Sequence, residues 1–357
     1  MQRVAPRSHR RFLVDAALAA GMSPADSDMV ADGMLWADLR GRTEYGLIRL
    51  PNIVARTRKG LMPSPADMRW TEVAPSAWQL DAGDGAGFVA GTLAMRRAVD
   101  TAKAQGVGLV TVRRSVHYGA AAYYCALAAE SSCIGLTCTN AVPKVAACNG
   151  TRPVLGTNPL AFACPTRDGY PVLVDMAMSS VAGSAVRAVE RSESLLPPDT
   201  ALDAQGRPTR DPVAAAAGAL LPAAGAKGYA LALMVEILSG VLTGAAVGPQ
   251  VGSVLHTWDR PIDAGHFFLA IDIARFMPLD NFMGRLDDLA TWIKASPPAD
   301  PAMPVRIPGE LRADHARRNA RDGLAYTPAM MRSAHTLIDE LHVRPPWDSA
   351  DDPVASG

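Results

Sequence analysis

The period of the apolar positions changes along the chain, and the changes mark its parts. Positions 7–20 are basic and then apolar, with Phe12, Ala16 and Ala19 on one helical face. Asp15 interrupts that run, which predicts an amphipathic helix and not a secretory leader. Ser23, Pro24 and Asp26 supply an N-cap, an N1 proline and a first-turn acid for a second helix. Its period passes through Met29, Gly33, Trp36 and Ala37 to Arg40 and Gly41. Past Gly60, Pro63 and Pro65 the pattern turns strand-like at Trp78, Gln79 and Leu80. From there strands and helices alternate. Helices are predicted over 88–105 and 120–130, and strands over 107–113, 134–139, 160–163, 171–176 and 266–273. An Asp168-Gly169 turn separates two of the strands.

This texture is α/β in the middle and helical at both ends. It predicts a discontinuous helical domain, residues 1–75 with 288–345, around a central α/β domain at 76–287. Residues 346–357 read as a loosely ordered tail, and 190–225 as loop. The apolar run 229–247 is close to membrane-spanning length. It carries Glu236, Ser239 and Thr243, so a helix buried on most sides of a soluble fold is the better expectation.

Composition narrows the function classes. The 357 residues carry 35 basic and 35 acidic side chains and are 49% hydrophobic. A chain with no net charge is poorly suited to general nucleic-acid binding, which needs a cationic excess. Five cysteines in apolar settings, with no CxxC pair, predict reduced thiols in a cytoplasmic protein and no dedicated zinc site.

Five stretches could carry chemistry, Asp175-Met176-Ala177 at a strand end among them. The glycine-rich loop Asp84 to Gly91 is spaced GxGxxxG, so a tight turn with close packing fits it better than a dinucleotide fingerprint. Ser115-Val116-His117-Tyr118-Gly119 ends a strand, where an imidazole can serve as a proton donor or simply brace a loop. Gly156-Thr157-Asn158-Pro159 precedes another strand. Lys227 opens the long apolar helix, where free N–H groups favour an anion; a solvated cap lysine is the alternative.

Together with further short motifs, these residues carry a resemblance. The motifs are Asp38-Leu39-Arg40-Gly41, Arg49-Leu50-Pro51, Ser115…His117…Gly119, Gly156-Thr157-Asn158-Pro159-Leu160, Val174-Asp175-Met176-Ala177, Lys227-Gly228-Tyr229, Leu242-Thr243-Gly244, Gly265-His266-Phe267-Phe268 and Pro308-Gly309-Glu310. In this order they resemble the type-2 malate/L-lactate dehydrogenase family, over residues 37–310. The family includes sulfolactate and ureidoglycolate dehydrogenases, 2,3-diketogulonate reductase and Δ1-piperideine-2-carboxylate reductase. The resemblance implies a non-Rossmann nucleotide-binding domain, a homodimer, NADH or NADPH as cofactor, and a small 2-oxo or 2-imino carboxylate as substrate, with no nucleic-acid or membrane partner. It also implies that Val174, Asp175, Met176, Ala177, Lys227, Gly309 and Glu310 line the cofactor. Arg49 would clamp the substrate carboxylate, with Asn158 also on the substrate side; a guanidinium fork suits a carboxylate because it gives two parallel charged hydrogen bonds.

The departures concern the chemistry. The family's Ser-His-Gly reads Glu44-Tyr45-Gly46 here, its Gly-Lys reads Ser184-Ala185, and the glycine after Lys-Gly-Tyr is Ala230. Either His117 is the acid, with Tyr45 shaping the pocket, or Tyr45 donates the proton. A phenol with an ordinary pKa near ~10 would then need a nearby cation. Glu44 suggests a cationic cyclic imine over a dicarboxylate, unless it faces solvent. The rival expectation is a family scaffold that lost its redox chemistry and only binds a ligand or performs a non-redox step.

Overall fold

A computed structural model describes residues 2–183, 186, 189 and 194–348. The helices α1 (Pro6–Ala19), α2 (Pro24–Leu39) and α3 (Leu50–Arg58) open the chain. Ser23 caps α2 as its sequence predicts, its hydroxyl accepting from the Asp26 amide at 3.2 Å. The buried face of α1 is Phe12, Leu13, Ala16 and Ala17; Ala19, expected on it, is exposed. Seven strands follow: β1 (Arg69–Ala74), β2 (Ala77–Asp81), β3 (Val107–Ser115), β4 (Cys133–Thr139), β5 (Leu160–Cys164), β6 (Val172–Met176) and β7 (Ala264–Asp272). They form one sheet in the order β1-β2-β3-β7-β4-β5-β6, in which only β2 and β3 run parallel. The helices α4 (Gly87–Gln105) and α5 (Ala121–Glu130) pack on this sheet around Val110, Val112, Tyr124 and Phe268.

The glycine loop before α4 serves packing. A Cβ on Gly87 would stand 2.2 Å from the Val116 carbonyl oxygen, and one on Gly91 would stand 2.7 Å from the Tyr124 ring. Both glycines face neighbouring protein, as the tight-turn expectation holds.

The apolar run after Lys227 differs from expectation. It is α6 (Ala226–Glu236), continued by a π turn at Ile237–Val241. Ala232, Val235, Glu236, Ser239 and Gly240 are buried, but Leu231, Met234, Ile237, Val241 and Leu242 are exposed. The helix is covered on one side only, because the sheet meets it on one side: a Cβ on Gly265 would overlap the Ser239 carbonyl, at 1.7 Å. Among the described residues no helix is long and apolar enough to cross a membrane.

The segment expected to be loop holds short strands at Ala201–Leu202, Pro208–Thr209 and Ala219–Leu220, which join Val145–Ala146 and Pro153–Leu155 in a second sheet. After β7 come α7 (Leu279–Lys294), α8 (Glu310–Asp322) and α9 (Pro328–Leu341). Met330, Ala334 and Leu337 of α9 share one apolar cluster with Phe12, Leu13, Val30, Met34 and Val54. Arg3 and Val4 pair antiparallel with Ala325 and Leu324. The two ends of the chain therefore build one core. Trp347 packs back on the chain, its ring edge-on to His335 (5.5 Å) and Tyr326 (6.2 Å). Residues 349–357 of the expected tail, and Ser184-Ala185, lie outside the described residues.

Candidate active site

The loop that departs from the family is held from beneath. Asp38, buried at the end of α2, accepts from His9 Nε2 and from the Leu47 amide, each at 2.9 Å. Burial pushes the Asp38 carboxyl up, while His9 and the Leu47 amide pull the other way. A Cβ on Gly46 would lie 2.1 Å from the Asp38 carboxylate, so only glycine lets the chain pass this closely. The two 3₁₀ turns Thr43–Tyr45 and Leu47–Arg49 are thus pinned at their junction.

That anchorage presents Tyr45 to His117. Their rings stack with centroids 6.0 Å apart and planes 18° apart. His117 follows β3, and the Gly119 amide donates to its Nδ1 at 3.2 Å. Gly119 has φ +79°, and a Cβ there would meet the Phe88 ring at 2.4 Å, so this turn also requires glycine. Tyr45 and His117 line a cavity of ≈ 120 Å³ with Thr139, Thr157, Asp175 and Ile262.

The charges around it are mixed. Arg42 Nε donates to Glu44 Oε1 at 2.8 Å, and the guanidinium carbon lies 5.0 Å from the Tyr45 ring centroid. Burial raises the Tyr45 hydroxyl's pKa; Arg42 opposes this, and Asp175 and Glu44 add to it. Asp175 is likewise raised, chiefly by burial, against Arg42, Arg312 and the Ala122 amide. Its Oδ2 is buried without a hydrogen-bond partner among the described residues. A buried carboxylate oxygen left so is a natural acceptor for a ligand's donor.

A second cavity of ≈ 440 Å³ lies along the same strand, lined by Pro171, Val172, Lys294, Gly309 and Glu310. β6 joins the two, with Val172 in the larger and Asp175 in the smaller. Gly309, at φ +107°, presses on that strand: a Cβ would stand 2.9 Å from Leu173 N, and the Leu173 amide donates to Pro308 O at 2.9 Å. Glu310 accepts from the Ile307 amide at 3.0 Å and pairs with Lys294. Val174, Met176 and Ala177 flank Asp175 and line neither cavity.

Other sequence-predicted residues fall elsewhere. Asn158 is fully buried with φ +39°. Its Nδ2 donates to Glu236 Oε2 (2.7 Å) and Ala232 O (3.0 Å), and its Oδ1 accepts from the Ala141 amide (3.2 Å). It braces the interior, while its neighbours Thr157 and Pro159 line the small cavity. Lys227 is exposed on the first turn of α6 and lines neither cavity. Arg49 is buried, so it is no surface ion pair; its Nη2 reaches the Glu44 carbonyl at 3.4 Å. Glu44 is paired with Arg42 and is not part of the small cavity's lining; Asp175 is the carboxylate that lines it. Sequence reasoning missed Arg42, whose signal was an Arg-x-Glu pair inside the altered loop. All five cysteines are free, and burial pushes the Cys138 and Cys164 thiols up to about 11. No cluster of three or more His, Cys, Asp or Glu among the described residues could hold a metal.

Comparison with known proteins gives the family. The family model described as malate/L-lactate dehydrogenase matches residues 4–333. The chain is 34% identical over 342 residues to L-sulfolactate dehydrogenase of Methanothermobacter thermautotrophicus, covering 96% of this chain and 98% of that one. The structure of malate dehydrogenase from Entamoeba histolytica superposes with a TM-score of 0.91 at 28% identity, covering 96% of this chain and 99% of the other. That of Δ1-piperideine-2-carboxylate reductase from Pseudomonas syringae gives 0.86 at 27%, covering 94% and 100%. The chain belongs to the malate/L-lactate dehydrogenase family, and with it to the NAD(P)-dependent dehydrogenases.

Proposed function

We propose that the protein interconverts a small 2-oxo acid, or a cyclic 2-imino acid, with the corresponding 2-hydroxy or cyclic amino acid, using NADH or NADPH. The observation that carries this reading is the Tyr45–His117 stack, two proton-bearing rings facing one small cavity with Asp175. The cavity suits a small substrate, and a Δ1-piperideine-2-carboxylate reductase is among the structural relatives.

Two features fit the cofactor: the orphaned Asp175 oxygen, and the single strand that links a large cavity to a small one. Val174, Asp175 and Met176 of β6, with Ala177 just after it, would hold it, and Gly309 and Glu310 stand at the larger cavity. When bound, the nicotinamide supplies the hydride that becomes the C2 hydrogen, so the substrate's heteroatom gains an electron pair and needs one proton. The Tyr45–His117 pair delivers that proton. Arg49, on the same anchored loop, takes the substrate carboxylate; Arg49→Lys keeps the charge but loses the fork, and raises KM more than it lowers kcat.

The exposed stripe of Leu231, Met234, Ile237, Val241 and Leu242 supports a homodimer across α6, since a soluble protein seldom leaves so large an apolar strip uncovered. Met234→Glu should dissociate it in light scattering. The core shared by the chain ends supports the division into helical and α/β parts. Free, mostly buried thiols suit the cytoplasm. Fluorescence titration with NADH and NADPH, followed by assay on 2-oxo and cyclic 2-imino acids, tests the whole reading. Failure to bind either nicotinamide leaves the scaffold that lost its redox chemistry.

A further inference from the structure

We propose that Tyr45, and not His117, hands the proton to the substrate, and that Arg42 is the positioning residue that lets a phenol do so. The inference rests on the reductase reading and names the division of labour inside its site.

The His117 hydrogen bond argues first. A backbone N–H can only donate, so His117 Nδ1 accepts from Gly119 and carries no proton. The neutral ring then bears its proton on Nε2. To act as an imidazolium acid, the ring needs a proton on Nδ1 as well, which would set one N–H against another. His117 is therefore held as a neutral ring, fit to orient and polarise but poor at releasing a proton.

The surroundings of Tyr45 argue second. From its own turn come Arg42 and Glu44; from β6 comes Asp175; beyond β3 stands His117; from α8 the Arg312 charge reaches it. Two cations thus face two carboxylates around the phenol. Glu44 fixes the guanidinium of Arg42 at 2.8 Å, and Arg42 stands beside the Tyr45 ring. A phenolate formed there meets a cation that is already in place, without reorganisation. This is the cation that the sequence required of any phenol donor. Arg42, Glu44 and Tyr45 form one device, with the carboxylate aiming the guanidinium and the guanidinium stabilising the phenolate.

The proton step balances simply. The Tyr45 O–H bond breaks and an O–H or N–H bond forms on the heteroatom at C2, using the electron pair that the arriving hydride displaces from the double bond. The phenolate left behind recovers its proton from solvent. In the oxidative direction the phenolate accepts the substrate's proton instead.

The test has an arm that needs no turnover. Ultraviolet titration of wild type minus Tyr45→Phe isolates the ionisation of this one phenol. Arg42→Gln should move its midpoint up by roughly half to one pH unit, Arg42→Lys should restore it, and Glu44→Gln should move it down. A midpoint that ignores Arg42→Gln overturns the role of Arg42. In the kinetic arm, Tyr45→Phe should lose about 10²–10⁴ in kcat with KM within a few-fold. Wild-type oxidation should keep rising towards pH ~10, where a histidine base would level off above ~6.5. A plateau near the histidine value that survives in Tyr45→Phe overturns Tyr45 as the donor. Cofactor binding without turnover of any 2-oxo, 2-imino or 2-hydroxy acid fails the reductase reading, and the ultraviolet arm still reads the coupling of Arg42 to Tyr45.

Discussion

Two histidines a short distance apart show how differently this fold treats the same side chain. His266, in β7, is fully buried; its Nδ1 lies 2.7 Å from Thr139 Oγ1 and its Nε2 lies 2.8 Å from Ser115 Oγ. Tyr118 stacks on it at 4.4 Å, with planes 9° apart. Burial pushes its pKa down to about 3, so the ring is neutral and both nitrogens are satisfied. His117 has one nitrogen tied to a backbone amide, while its ring stacks on Tyr45 at a cavity wall. The serine of the Ser-x-His-x-Gly motif therefore serves the structural histidine. Full burial marks the frame, and a place in the cavity wall marks the chemistry.

The sharpest way to break this contrast is to damage the frame. Glu236 is buried and accepts from Asn158 Nδ2 (2.7 Å), the Gly248 amide (2.8 Å) and Asn140 Nδ2 (3.3 Å). Glu236→Ala strands three donors and should cost about 3–5 kcal/mol in urea unfolding. Tyr45→Phe, at the cavity, should stay within about 1 kcal/mol of wild type. Equal losses in the two variants would erase the distinction.

A smaller effect follows from pH. The folded pKa of His266 lies below its unfolded value, so the unfolded chain binds the extra proton. Stability from the neutral ring is complete above pH ~6.5 and is lost as pH falls towards the folded value, a contribution of a few kcal/mol. His266→Gln should flatten that part of the stability curve, measured by urea midpoints from pH 7 down to 4. An unchanged slope would move the acid sensitivity to other groups.

Smaller again is Gly46→Ala. The added methyl presses on Asp38 and must shift the loop that carries Tyr45. Crowding of this kind costs about 1–3 kcal/mol, and kcat should fall with Tm. Wild-type kcat in a folded variant would show that the loop tolerates the shift.

How much of this the sequence revealed depends on how local each signal is. The Ser23 cap and the strands β3, β4, β5 and β7 stood out because caps and apolar periods are written in neighbouring residues. The altered Glu44-Tyr45 pair was visible, and so was His117. The direction in which Asn158 points was not, because a residue at φ +39° turns inward while Thr157 and Pro159 line the cavity. The pairing of Glu44 with Arg42 escaped because a charge pair two residues apart meets only when a 3₁₀ turn brings it together. The exposed face of α6 escaped for a related reason: composition reports that a helix is apolar, not which sides its own chain covers.

Lys227 gives the smallest expected effect and the finest test of the contrast. The family resemblance places a lysine here against the cofactor, where a charge-assisted contact contributes about 1.5–3 kcal/mol, or roughly tenfold or more in Kd. In the single chain, however, Lys227 is exposed and belongs to neither cavity. An exposed charge acts through solvent and contributes about 0.2–1 kcal/mol, and salt screens it. Lys227→Ala should then weaken NADH or NADPH by less than about fivefold, with the difference fading as salt is raised. A salt-resistant loss above about thirtyfold would place the lysine inside the site after all. Since α6 carries both Lys227 and the uncovered apolar stripe, that outcome would point to a site completed when a second copy packs on α6. Repeating the titration on the Met234→Glu monomer would settle which surface provides the contact.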